Sequence, residues 1–206
     1  AAAFHAQRQP LPPALFDYRP PAIGELLRVN VIGTSGSGKS SFAKQLAGAL
    51  RIPYLEMDRL YWKPNWQEPR DEEFFSLLEQ ALSGDAWVLD GNYTRTTHLK
   101  WQRADLVIWI DYSLLLTAYR VIKRSILRAW TIQELWPGTG NCESFARLFS
   151  KDSMVLWTLS NYASNRDKFE ELMASGHYAH VEFVRVRSPK EVDALIQNLT
   201  NRDKQA

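Results

Sequence analysis

The sequence predicts an α/β fold, a parallel sheet covered by helices on both faces. Three observations predict it. Apolar stretches of strand length alternate with stretches of helical period from Leu26 onward. Between the first strand and the first helix, Gly33-Thr34-Ser35-Gly36-Ser37-Gly38-Lys39-Ser40 fills every fixed position of the phosphate-binding pattern G-x-x-x-x-G-K-[ST]. Three later strands run into an aspartate, Asp58, Asp90 and Asp111, at the sheet edge where such folds bind ligands.

The elements follow from local chemistry. Strands are expected at 28–33, 53–57, 86–90, 105–111 and 180–186, and helices at 39–50, 69–83, 113–130, 152–174 and 189–200. The first strand is apolar apart from Arg28 and Asn30, and Phe42, Ala43, Leu46, Ala47 and Leu50 give the first helix its buried stripe. In the second helix Pro69 lies near the first turn, and Asp71, Glu72 and Glu73 sit at the positive pole. Phe74, Phe75, Leu77, Leu78, Ala81 and Leu82 form its apolar side, and Ser83-Gly84-Asp85 stops it. Asp111 reads as the cap of the third helix. Helix 152–174 is expected to turn Val155, Leu156, Leu159 and Phe169 inward, with Arg166 and Lys168 facing the site or water. Ser188-Pro189-Lys190-Glu191 starts the last helix, either as a plain cap or in touch with a nucleotide base. Residues 26–206 thus make one domain, with an acceptor-binding segment near 58–84 and a lid near 120–165. Residues 1–25 hold five of the ten prolines and read as a linker-like extension.

The glycine-rich loop carries the strongest chemistry. Its glycines allow dihedrals that turn successive N–H groups inward as an anion cradle, and the helix that follows adds free donors and a positive dipole end. ATP phosphates are expected on Gly33, Ser35, Gly36, Ser37, Gly38, Lys39, Ser40 and Ser41. Lys39 reaches the β- and γ-phosphates, and the Ser40 hydroxyl ligates Mg²⁺.

The other candidates lie at the same sheet edge. After Asp58 comes Arg59-Leu60-Tyr61-Trp62-Lys63-Pro64-Asn65-Trp66. Here Asp58, Tyr61 and Trp62 either form a substrate pocket or cover the core. Asp90 holds Mg²⁺ through water or orients the attacking hydroxyl, or else it caps a turn. Arg95 either clamps a substrate phosphate or makes a surface salt bridge. Arg120, Arg124 and Arg128 recur every four residues and share one helix face, which is either solvated or turned to the phosphates. In the second case Arg120 and Arg124 neutralise the transferring group and act with Lys39 and Asp90 in catalysis. Pro137-Gly138-Thr139-Gly140-Asn141 breaks the alternation, with Asn141, Cys142 and Glu143 near the tip of the expected lid.

Bulk properties narrow the classes. The net charge of +2 makes nucleic acid an unlikely partner without excluding it. One cysteine, Cys142, allows no internal disulfide and suits a reducing compartment. His5, His98, His177 and His180 show no ligand spacing. No apolar run reaches the ~18 residues of a membrane span. The expectation is a cytoplasmic protein, monomeric or homodimeric, that serves a nucleotide and a small-molecule acceptor.

The chain resembles the adenylate-kinase-like branch of P-loop kinases, and within it the bacterial family labelled "DNA topology modulation protein". The resemblance rests on IGTSGSGKS at 32–40, MDRLYWKPNW at 57–66, LDGNYTRT at 89–96, RADLVIWID at 103–111, RVIKR at 120–124, GNCESF at 140–145 and RSPKEV at 187–192. It implies a P-loop NTPase three-layer sandwich with a five-stranded sheet in order 2-3-1-4-5 and a helical lid. The implied activity is transfer of the ATP γ-phosphate to a small acceptor. A regulatory ATPase module linked to DNA is the alternative. Arg95 sits where nucleotide kinases of this branch bind a monophosphate, and Arg120 and Arg124 match their R-x-x-x-R pair. Two departures count against AMP as the acceptor: Asp90-Gly91-Asn92-Tyr93-Thr94-Arg95 is one residue longer than D-G-F-P-R, and the segment 61–66 is rich in tryptophan.

Overall fold

The computed structural model describes residues 27–150 and 153–201. The extension at 1–25, and residues 151 and 152 within the expected lid, lie outside the described residues. Five strands, β1 (Arg28–Ile32), β2 (Tyr54–Glu56), β3 (Trp87–Asp90), β4 (Leu106–Ile110) and β5 (Glu182–Val186), form one parallel sheet in the order β2-β3-β1-β4-β5. The helices are α1 (Lys39–Leu50), α2 (Met57–Tyr61), α3 (Asp71–Ala81), α4 (Thr97–Trp101), α5 (Leu114–Thr131), α6 (Phe145–Leu148), α7 (Met154–Ala174) and α8 (Pro189–Asn201). The α/β class and the strand order are those expected of the sequence.

Two cores explain why the inner strands read as unbroken apolar runs. Side chains alternate between the faces of a strand, and here both faces are covered. Val29, Val31, Ile108 and Ile110 pack with Phe42 and Leu46 of α1 and Leu195 and Leu199 of α8. Ile32, Val107 and Trp109 point the other way, onto Phe74 and Leu78 of α3, Trp101 and Phe169. Trp109 meets Phe169 edge to face at 5.6 Å.

One polar residue sits inside the second face. Asn30 is fully buried in β1. Its amide donates to the carbonyls of Leu89 and Gly91, each at 3.1 Å, and its Oδ1 accepts from the Trp101 indole at 2.9 Å. A buried amide with these bonds made is stabilising, and with them lost it is costly. It pins the chain where β3 exits at Asp90.

The structure corrects several expectations. Asp111 caps nothing. The Ser113 hydroxyl caps α5 by accepting from Leu116 N. Asp111 is buried and paired with Arg166 of α7 at 3.0 Å and with Arg185 of β5. A carboxylate taken from water is tolerated only with such partners. Leu156 and Leu159 of α7 are 53% and 42% exposed, so the inward side of that helix is built on Thr158 and Phe169 instead. Helix α3 spans Asp71–Ala81 instead of 69–83, with Arg70 at its N-cap and Pro69 one residue before. Three short helices, α2, α4 and α6, were not expected, since four or five residues show no period. At the start of α8 the cap reading holds: Ser188 Oγ donates to Glu191 Oε1 at 2.8 Å, and Glu191 N–H returns a bond to Ser188 Oγ. No described helix is long and apolar enough to cross a membrane.

Candidate active site

The carboxyl ends of β1, β2 and β3 open into a cavity of about 1070 Å³. Such clefts are where open parallel sheets hold ligands.

The loop after β1 forms one end. Ser35, Gly36, Gly38, Lys39, Ser40 and Ser41 line it. Gly36 has φ 85°, and a Cβ there would stand 2.7 Å from the Thr117 carbonyl of α5. Gly38, at φ 93°, precedes the first residue of α1. Both positions exclude ordinary side chains. Gly33 and Ser37 sit behind the lining, where a Cβ on Gly33 would meet Ser37 Oγ at 2.6 Å. Ser37 N–H closes the turn by donating to the Thr34 carbonyl at 3.0 Å.

Helix α5 lies across this loop. The buried stripe Val121, Ser125, Ala129 faces inward, and the arginines beside it follow. Arg120 donates to the Ser37 carbonyl at 3.2 Å, and Arg124 to Ser35 Oγ at 2.7 Å. Arg128 is paired with Glu143 at 3.1 Å. All three line the cavity, whereas Lys123 points out toward Tyr119. Burial, and then the charge of Arg128, lowers the Arg124 pKa below its ordinary value. A guanidinium held this way gains from an anion brought beside it.

The ends of β2 and β3 form the other end. Asp58, in the first turn of α2, accepts from the Tyr93 hydroxyl at 2.7 Å. Asp90 closes β3; its Oδ2 accepts from the Tyr54 hydroxyl at 3.1 Å, while Oδ1 is buried with no partner. Glu56 pairs in register with Asp90 across the sheet. Burial raises its pKa; Lys44 pulls it back, and Asp90 and Asp58 add to the rise. Burial, with Asp58 second, also holds the Tyr93 hydroxyl protonated well above its ordinary range.

The aromatic segment both covers the core and lines the cavity. Tyr61 is buried against Phe74 and also lines the cavity. Trp62 and Trp66 line the cavity and pack on Trp136, Trp62 stacked at 6.1 Å and Trp66 edge-on at 5.7 Å. Asn141 fastens the same junction: its Oδ1 accepts from Trp66 N–H at 2.9 Å and its Nδ2 donates to the Lys63 carbonyl at 2.8 Å. The Arg147 guanidinium sits over Trp66, 3.7 Å from the ring centre. Arg95 forms a salt bridge in this structure. It pairs with Asp71 at 3.1 Å and is absent from the lining. Cys142 is half-buried and pairs through its backbone with Glu134.

Sequence reasoning missed Lys100. It is 1% exposed, donates to the Tyr93 carbonyl at 3.3 Å, and burial lowers its pKa to about 7. Nothing local distinguishes it from the exposed lysines. It also missed Trp136 and Arg147, which reach the cavity only through the fold of 131–150.

No family model matches the chain, and no curated protein does. Solved structures do. A shikimate kinase from Acinetobacter baumannii, in complex with shikimate, superposes with a TM-score of 0.55 at 15% identity, covering 90% of this chain and 98% of the other. A shikimate kinase from Bacteroides thetaiotaomicron gives 0.44 at 10% identity, over 86% and 98%. The first likeness is one of fold: this chain shares the covered parallel-sheet architecture of that protein.

Proposed function

We propose that the chain is an ATP-dependent phosphotransferase, of the adenylate-kinase-like branch and similar to the "DNA topology modulation protein" family, that phosphorylates a small acceptor. One observation carries this reading. A single cavity joins a glycine cradle ringed by Lys39, Arg120 and Arg124 to an end holding Asp58 and a buried Asp90 oxygen without a partner. A site for hydrolysis alone has no need of the second end.

The residues present fit magnesium. Asp90 Oδ1 lacks a partner, and among the described residues no cluster of three or more His, Cys, Asp or Glu could hold a metal by itself. Mg²⁺ in such sites takes one or two protein oxygens and completes its shell with water and phosphate. Ser40 and, through water, Asp90 would hold it. A bound ATP·Mg²⁺ supplies the activated phosphoryl group. Lys39 and the loop amides fix the phosphates, Arg120 and Arg124 offset charge that grows between donor and acceptor, and Asp58 or Asp90 orients the acceptor hydroxyl. Segment 131–150, joined to the acceptor side through Asn141 and Trp136, serves as the lid that excludes water.

The test is a coupled assay of ADP formation over nucleoside monophosphates, nucleosides and small alcohols, with calorimetry for ATP and Mg²⁺. Turnover with at least one acceptor, abolished by Lys39→Ala, is expected. Tight ATP binding with no acceptor turned over overturns the kinase reading.

A further inference from the structure

The acceptor end of the cavity is acidic where a phosphate clamp would be cationic. The positive charges that the sequence sets along this segment are turned away from it. Lys63 pairs with Glu73 at 2.7 Å and Arg95 with Asp71 at 3.1 Å, both partners on α3. Neither Lys63 nor Arg95 lines the cavity. The Arg95 guanidinium lies over the rings of Tyr61 and Phe74, at 5.1 and 5.7 Å. Two aromatic contacts and an ion pair hold it outside. Arg128, which does line the cavity, is engaged by Glu143. Arg147 sits over the Trp66 ring.

What crowds this end is carboxylate, with Arg124 within electrostatic reach of Asp58 and Asp90 from the phosphate side. Glu56, Asp58, Glu68 and Asp90 line it, with Lys44 the cation set against Glu56. Asp90 is 4% exposed and its Oδ1 is unpartnered. An ionised carboxylate accepts hydrogen bonds and donates none, so this end is complementary to O–H and N–H donors. It repels a second phosphate, because like charges brought together in a partly buried site cost affinity. The indoles of Trp62 and Trp66 form the wall, and indole faces attract cations and apolar ring edges.

We infer that the acceptor is an alcohol carrying no phosphate or carboxylate of its own, neutral or cationic like a polyol or an amino alcohol, and not a nucleoside monophosphate. This rests on the phosphotransferase reading for its chemistry. In the step, the acceptor oxygen bonds to the γ-phosphorus as the bond from that phosphorus to the ADP oxygen breaks. ADP leaves with the electron pair, and the hydroxyl proton passes to a carboxylate of this end and on to water.

The test separates binding from turnover. The full chain is loaded with Mg²⁺ and a β,γ-imido ATP analogue, which fills the phosphate loop, and titrated by calorimetry with matched pairs that differ by one phosphate. The pairs are adenosine and AMP, cytidine and CMP, ethanolamine and phosphoethanolamine, glucosamine and its 6-phosphate. At least one unphosphorylated member is expected to bind, at least about tenfold tighter than its phosphate ester. The Asp58→Asn, Glu56→Gln double variant is expected to narrow that ratio. Equal or tighter binding of the phosphate esters overturns the inference, and so does a panel in which no unphosphorylated alcohol binds. If the pairs discriminate as expected but ATP then yields no ADP with the preferred alcohol, the phosphotransferase reading falls and the charge preference of the site stands.

Discussion

At the β1–α1 end of the cavity, Lys39, Arg120 and Arg124 converge on a turn of main-chain amides. At the β2–β3 end, Glu56, Asp58 and Asp90 converge beneath indole rings. The first end is cationic and made largely of backbone. The second is anionic and made of side chains brought from α2, β3 and the segment after α5. A backbone cradle demands fixed residues at fixed spacing and can serve any triphosphate. A side-chain pocket can be rebuilt without disturbing it. The donor is therefore expected to be general to the fold and the acceptor particular to this chain.

The sharpest way to break this contrast is to remove the one lysine of the cradle. Lys39 is half-buried and lines the cavity. Lys39→Ala is expected to lower kcat on the order of 10³-fold while leaving the melting temperature unchanged, since the charge acts on phosphate and not on the fold. Steady-state rates beside a thermal melt check both halves. A loss below tenfold would mean that the cationic end does not govern transfer.

Arg124 and Arg128 sharpen the same contrast. Arg124 bonds the loop at Ser35, whereas Arg128 is neutralised by Glu143. Arg124→Met is expected to reduce kcat by about 10²-fold, the range for loss of one donor to developing charge, and Arg128→Met by far less. Equal losses would show that ring position and not free charge matters.

The link between the two ends is the next target. Asn141 satisfies both Trp66 N–H and the Lys63 carbonyl. Asn141→Leu leaves both unmade, which costs about 2 kcal/mol if they stay buried. The lid then closes less often over the acceptor, and the ratio of ATP hydrolysis to transfer is expected to rise several-fold. Parallel measurement of free phosphate and of phosphorylated acceptor reads that ratio.

The same division governs what could be read from the sequence. The cradle was legible because it is eight consecutive residues whose types are fixed by backbone geometry. The sheet was legible because strands buried on both faces leave apolar runs between helical periods. Arg120 and Arg124 were half-legible: the spacing of four gives a shared face, but only the packing of Val121, Ser125 and Ala129 says which way it points. Arg95 was not legible. Its motif position suggested a clamp, and the pairing with Asp71 is set by how α3 packs beside the loop after β3. Asp111 misled for a similar reason. An aspartate before a helix looks like a cap, but Arg185 arrives from β5, 74 residues away in the chain. Asn30 looked like a flaw in a strand until β3 and Trp101 were placed around it.

Lys100 carries the smallest expected effect on turnover and a distinct effect on stability. It lies behind the acceptor end and tethers the chain there through the Tyr93 carbonyl. Burial lowers its pKa from the ordinary 10.5 to about 7. Between those values the unfolded chain binds a proton that the folded chain has released, so stability rises with pH across the window. Below about pH 7 both states are protonated and the cost of burying the charge is present in full. Lys100→Met removes that cost and one weak hydrogen bond worth about 1 kcal/mol. The variant is expected to be more stable than the parent near pH 7, on the order of 2–4 kcal/mol, with the advantage shrinking as pH approaches 10. Urea melts of both proteins at several pH values check this. An advantage that stays constant with pH would mean that Lys100 keeps its proton in the folded state, and that the loop it holds is open to water.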